Sequence, residues 1–153
     1  MRFVFLTLVF LLAAAAPAQG FFDFFGPSAE SATAEDGLIT LDVAGLKRGD
    51  ARHYRFRDGG AEVRFFVVRD AQGTVRVALD ACEVCHDAGK GYRLERGAML
   101  CLNCGRVFAL SRIGVIVGGC NPHPLKFASD KESVILTAAE LLAGAKYFPE
   151  NRR

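Results

Sequence analysis

Two Cys-x-x-Cys pairs constrain this chain more than any other feature. They lie in "DACEVCHDAGKGYRLERGAMLCLNCG", from Asp80 to Gly105, as Cys82 with Cys85 and Cys101 with Cys104. Fifteen residues separate Cys85 from Cys101, so the spacing is C-x2-C-x15-C-x2-C. That spacing falls within the range of zinc ribbons. A Cys-x-x-Cys turn puts two sulfurs on one side of a tight loop, and a hairpin between two such turns brings the pairs face to face as a tetrahedral sulfur site. Gly105, directly after Cys104, lets the chain turn without a side chain and leaves backbone N–H groups free to bond thiolates. Cys82, Cys85, Cys101 and Cys104 are therefore expected to share one centre, an iron–sulfur cluster or a single metal ion such as zinc or copper.

Other readings of the same stretch remain open. Cys82-Glu83-Val84-Cys85-His86 also matches the C-x-x-C-H signature of c-type haem, with Met99, His123 or His53 as a sixth ligand. That reading leaves the second pair and Cys120 idle, and the run of helices that wraps a haem is missing. His86 otherwise reads as a flanking residue or as a partner behind the ligands. Two local disulfides or a redox dithiol are the next alternative. A thiol–disulfide oxidoreductase needs a low-pKa thiol at a helix N-terminus, and no strong helix follows either pair. The fifth cysteine, Cys120, stands in "GGCNPHPL" (Gly118–Leu125), separated from Cys104 by another fifteen residues. Two glycines before it and Asn-Pro after it make a rigid loop that suits a positioned ligand. Cys120 is expected to be an extra or alternative ligand, a second metal position or a resolving thiol; a buried free thiol is the plainer alternative. His123 lies three residues on and could join such a site; by itself it reads as exposed.

The remainder of the chain sets the context. With 153 residues and 51% hydrophobic content, it suits one domain with a real core, so folding does not depend on cross-links. A net charge of +2 and the lack of a dense basic run give no case for nucleic acid. Arg2, the apolar run Phe3–Ala16 and the small residues of Ala16-Pro17-Ala18 predict a cleavable export signal over residues 1–18. The run is shorter than the roughly 20 residues that cross a bilayer. Export places the chain in the periplasm, where an odd number of cysteines is unusual for a disulfide framework; this favours metal ligation. Residues 19–37 read as a flexible leader, with Phe21, Phe22, Phe24 and Phe25 as an aromatic membrane or partner contact or as an inert signal flank.

From Leu38 the pattern turns to strands: Leu38–Val43, Ala51–Arg57, Ala61–Asp70 and Thr74–Asp80, with short turns at Asp58-Gly59-Gly60 and Ala71-Gln72-Gly73. Short extended pieces follow at Gly91–Glu95 and Ala98–Leu102, and a last strand at Ser133–Thr137. Thr137 and Glu140 form a T-x-x-E capping box opening a helix to about Lys146, with Leu141, Leu142 and Ala145 inward. The expected fold is mainly β (α+β): antiparallel hairpins, a Cys-rich metal-binding hairpin and a short C-terminal helix, over residues 38–149. His53 reads as a half-buried strand residue. No Ser-His-Asp or paired-carboxylate arrangement stands out, so a non-enzymatic protein is expected, with no catalytic residue assigned.

The stretch from Phe65 to Phe127 resembles the FtrD-like membrane-associated iron–sulfur protein family, and the resemblance extends over roughly Leu38 to Phe148. It is carried by Asp80-Ala81-Cys82-x-x-Cys85, Gly91-Tyr92-Arg93, Cys101-x-x-Cys104-Gly105 with Phe108, and Gly118-Gly119-Cys120-Asn121-Pro122-x-Pro124-Leu125. The set is long and irregular, so chance is a poor explanation. The resemblance implies an iron–sulfur cluster or related metal centre held by Cys82, Cys85, Cys101, Cys104 and Cys120. It also implies a redox, electron-transfer or metal-handling role beside iron-uptake permeases and periplasmic iron-binding proteins. Two features depart from the family: many members carry a multi-span membrane domain ahead of this region, and His86 stands where an aromatic residue is usual. A chain threaded unfolded through a membrane does not carry a preassembled cluster. Zinc or Cu⁺ acquired outside fits sulfur ligands and export without an Arg-Arg pair at least as well. The alternatives to the redox accessory are a binding module with a structural zinc ribbon and the c-type haem protein.

Overall fold

The strand Ala61–Arg69 is apolar at four consecutive positions, Phe65–Val68, where a half-solvated strand would alternate, and the fold shows why. In the computed structural model, which describes residues 28–130 and 132–152, this strand is buried on both faces. The export signal and the phenylalanine cluster lie outside the described residues.

Among the described residues, ten strands form three sheets. They are β1 (Ala29–Ala32), β2 (Leu38–Asp42), β3 (Asp50–Asp58), β4 (Ala61–Arg69), β5 (Val75–Leu79), β6 (Tyr92–Glu95), β7 (Ala98–Cys101), β8 (Val107–Ala109), β9 (Ala128–Ser129) and β10 (Ser133–Thr137). The central sheet runs β1-β3-β4-β5, the second β2-β10-β9 and the third β6-β7-β8. All pairings are antiparallel except β1 with β3. The fold is thus mainly β with a short C-terminal helix, α1 (Ala138–Ala143).

Alternation along β4 divides the interior into two layers. Val63, Phe65 and Val67 face one core, with Tyr54 and Phe56 of β3, Val77 and Leu79 of β5, Ile39, Leu41, Val134 and Leu136 of the second sheet, and Leu141 and Phe148. Phe66 and Val68 face the other way, with Ala78, Tyr92, Met99, Leu110 and Ile113. Cys82, Cys101 and Cys120 belong to this second layer. Burying a side chain such as Phe65 stabilises by about 1.5–3 kcal/mol, so the unbroken apolar run Phe65–Val68 of β4 holds the two layers together.

Turn chemistry sets the registers. Gly59 and Gly60, both at positive φ (+55° and +83°), close the two-residue β3–β4 turn. The Asp70 carboxylate accepts N–H bonds from Gln72 (3.0 Å) and Thr74 (2.8 Å) and pairs with Arg76, ordering the β4–β5 turn. At α1 half of the capping box forms: the Glu140 N–H donates to Thr137 Oγ1 at 3.1 Å. The Glu140 carboxylate turns aside and accepts from the Lys126 N–H at 2.9 Å. Helical structure then continues to Tyr147 only as a tighter 3₁₀ turn, Ala145–Tyr147.

Composition places residues 19–37 in a flexible leader, but Ala29–Ala32 form β1, in parallel register with His53–Phe56. Ala32 is buried in the first core. The small side chains that make the segment read as a linker also let it lie flat against the edge of β3. The short β8 and β9 are likewise elements that composition does not announce.

Candidate metal centre

The cysteines come from three separate places that the fold brings together. Cys82 lies just past the end of β5 and is 1% exposed; Cys101 ends β7 and is 2% exposed. Cys85 is half-buried, Cys104 exposed and Cys120 buried, and all five are free thiols.

Two backbone devices fix the pairs. The Cys85 N–H donates to Cys82 Sγ at 3.2 Å, so the first turn folds around its own sulfur. The Gly105 N–H donates to the Cys101 carbonyl at 2.9 Å, with Gly105 at φ +72°, which closes the second turn. Cys120 arrives by another route. The Leu79 N–H donates to the His123 carbonyl (2.8 Å) and the His123 N–H to the Ala81 carbonyl (3.0 Å), so the segment after Cys120 runs beside the end of β5. Tyr92, 1% exposed, donates its hydroxyl to the Cys120 carbonyl at 2.6 Å and pins the loop from the other side.

The sulfurs fall into two groups of three. Those of Cys82, Cys85 and Cys120 lie within 4.8 Å of one another, as do those of Cys85, Cys101 and Cys104. Cys85 belongs to both, and its Sγ is 3.9 Å from that of Cys120. Sulfurs bound at about 2.3 Å to one tetrahedral metal stand about 3.8 Å apart, so the spacing and the all-sulfur donor set fit a soft metal or cluster. The sequence pairing of Cys82 and Cys85 with Cys101 and Cys104 as one four-sulfur site is not what these groups give. Cys82 groups with Cys120, Cys85 belongs to both groups, and the Cys104 and Cys120 thiols also meet across them. The strand-edge pairing around His123 is the physical reason, and it leaves no trace in cysteine spacing.

Electrostatics grade the site from inside to outside. Burial pushes the Cys101 thiol up to about 11 and raises that of Cys120. At Cys85, hydrogen bonding from Asn103 favours the thiolate, but burial and the neighbouring thiols outweigh it and the net shift is upward. Cys104 is pulled down to about 7, chiefly by the backbone N–H of Arg106.

Behind the cysteines sits a supporting pair that spacing alone does not reveal. Asp80 Oδ1 accepts the Tyr92 N–H at 2.6 Å, tying the start of β6 to the strand end that carries Cys82. Gly91 permits this approach: it sits at φ +68°, and a Cβ there would lie 2.5 Å from Asp80 Oδ2. Asp80, Gly91 and Tyr92 stand in the sequence motifs, but only their contacts give them a role. Among the histidines, His86 has Nδ1 3.0 Å from the Glu83 carbonyl oxygen and its ring edge-on to Tyr147. His123 packs on the same tyrosine at 4.7 Å, and His53 on Phe66. None of the three joins either sulfur group.

Among the described residues, no helix is long and apolar enough to cross a membrane. Comparison with curated proteins finds no match, and comparison with solved structures finds none either. A family model does match, that of the membrane iron-sulfur containing protein FtrD-like, over residues 46–148, a span that takes in all five cysteines and the whole second layer of the core. The chain belongs to this FtrD-like family.

Proposed function

We propose that this protein is an exported, non-enzymatic metal or iron–sulfur protein that acts as a redox or metal-handling accessory of iron uptake. The observation that carries the reading is the convergence of Cys82, Cys85, Cys101, Cys104 and Cys120 into two overlapping three-sulfur groups. Thiolates in such numbers select soft ions and iron–sulfur clusters over hard cations. The family name supports the iron–sulfur assignment, and zinc or Cu⁺ suits the same donors.

A centre held there would supply an electron couple or an exchangeable ion. The chain's own residues do the remaining work. Cys82, Cys101 and Cys120 hold from the buried side, where water is excluded. Exposed Cys104 offers the edge through which an electron or an ion passes. Tyr92, Asp80 and Gly91 keep the loops in place. The apolar run Phe3–Ala16 followed by Ala16-Pro17-Ala18 supports export to the periplasm, where an iron permease or an iron-binding protein is the expected partner.

A structural metal is the second reading, favoured by the burial of three of the five cysteines in the second core layer. The haem reading fares less well: Cys82 is 1% exposed within the core, and a haem would leave three further thiols in contact with Cys85.

Purification of the protein from the compartment where it resides, with metal analysis and a visible spectrum, tests the proposal. A broad sulfur-to-iron absorption, lost in Cys82→Ser and Cys101→Ser together with iron-limited growth, is the expected result. A colourless, redox-silent zinc protein would leave the structural reading. A sharp haem band would replace both.

A further inference from the structure

We propose that the centre binds two metal ions per chain, with the Cys85 thiolate shared between them. The inference rests on the metal-binding reading above and goes beyond it in nuclearity and in the role of one residue. Three observations carry it.

The first is geometric. Each group, Cys82-Cys85-Cys120 and Cys85-Cys101-Cys104, is compact enough for one ion; Cys85 is the member they share, and the Cys104 and Cys120 thiols meet between them. A single four-sulfur ion would need four sulfurs mutually close, yet each compact group closes at three. A thiolate sulfur carries several lone pairs and can bind two ions at once.

The second is charge. Five thiolates around one divalent ion leave three negative charges, and around two leave one. Cys82, Cys101 and Cys120 are all buried, and unpaired charge in such surroundings is strongly disfavoured. The five thiol protons go to solvent as the ions bind.

The third is position. Cys85 is the half-buried member, between buried Cys82 and Cys120 on one side and Cys101 with exposed Cys104 on the other. Its own N–H is spent on Cys82 Sγ, and its sulfur has the Asn103 side chain and the Cys101, Cys104 and Cys120 thiols around it. Each three-sulfur group leaves one position for an outside ligand. The inner ion lies among buried sulfurs and the outer one opens to solvent at Cys104, so the outer ion exchanges faster.

The test uses the reduced full-length chain and ¹¹³Cd²⁺ as the probe, with native mass spectrometry and ¹¹³Cd NMR. Two ions per chain are expected, with two resonances split by each other, because that coupling passes only through a shared sulfur. Cys85→Ser should abolish the splitting. Cys104→Ser, at an exposed position that the fold does not need, should retain one ion and show a single unsplit resonance. One ion per wild-type chain, or two without mutual splitting, overturns the shared thiolate and leaves the metal-binding reading standing. No bound ion overturns both.

Discussion

Asp80 and His53 illustrate how single residues serve the centre without touching metal. His53 Nδ1 and Asp80 Oδ2 are 4.0 Å apart, on the face of the central sheet that carries the cysteines. Burial drives His53 down to about 4 and Asp80 up to about 7, the latter partly offset by the Tyr92 N–H. Both groups are therefore neutral through mildly acidic pH. Their linkage signs oppose. The unfolded chain takes up the His53 proton near pH 6.5 while the folded one resists it to about pH 4, so this contribution to stability falls as pH falls through that window. Folded Asp80 keeps a proton from pH 7 down to 3.8 that the unfolded chain lacks, so its contribution grows as pH falls. Urea unfolding of wild type and His53→Phe between pH 4 and 6.5 should show the wild type gaining on the variant as pH rises, by up to about 3 kcal/mol. A difference that stays flat would mean that His53 titrates normally in the fold. The sequence reads His53 as a half-buried strand residue; it lies in a strand but is buried. Its 6% exposure goes with a ring contact to Phe66 of β4, and its carboxylic neighbour Asp80 lies just past β5; strand periodicity carries no such information.

At the scale of elements, the third sheet is the weak one. Its strands run three or four residues each, too short to stand alone in water. It survives by laying Tyr92, Met99 and Cys101 on Phe66 and Ala78 of the central sheet. The hairpin turn contributes less than it might: Arg96 sits at φ +51° ahead of Gly97 at +76°, a pair of positions for which Asn-Gly is the preferred sequence. Arg96 is exposed and has no need to be arginine for packing. Arg96→Asn should stabilise by about 0.5–1 kcal/mol in thermal unfolding without altering the cysteine spacing. Unchanged stability would show that the pairing of Tyr92 with Cys101, and not the turn, fixes the register. The strands β2 to β7 and the helix start were all legible from alternation, turn residues and Thr137. Strand β1 was not, because Ala29-Glu30-Ser31-Ala32 has linker composition and gains its conformation from the free edge of β3.

Across the whole molecule, the two layers on opposite faces of β4 differ in what they ask of the centre. The first is closed by hydrocarbon alone; the second includes Cys82, Cys101 and Cys120. Removal of bound metal by a chelator should therefore loosen one layer and spare the other. Hydrogen exchange is expected to accelerate at the amides of β6 to β8 and the loop through Cys120, while β2, β10 and α1 keep their protection. Uniform acceleration would show that the layers unfold as one unit. The sequence by itself determined the strand content, the turn positions, the helix cap and the presence of a sulfur-rich centre, because each is written in residues close along the chain. The partnership of the cysteines was decided only by tertiary structure. Cys120 reaches Cys82 because the segment through His123 hydrogen-bonds along the end of β5, and Cys85 stands between both sulfur groups because the third sheet docks on the far face of β4. Those are long-range contacts set by burial and backbone pairing, to which the regular fifteen-residue gaps between the cysteines are indifferent.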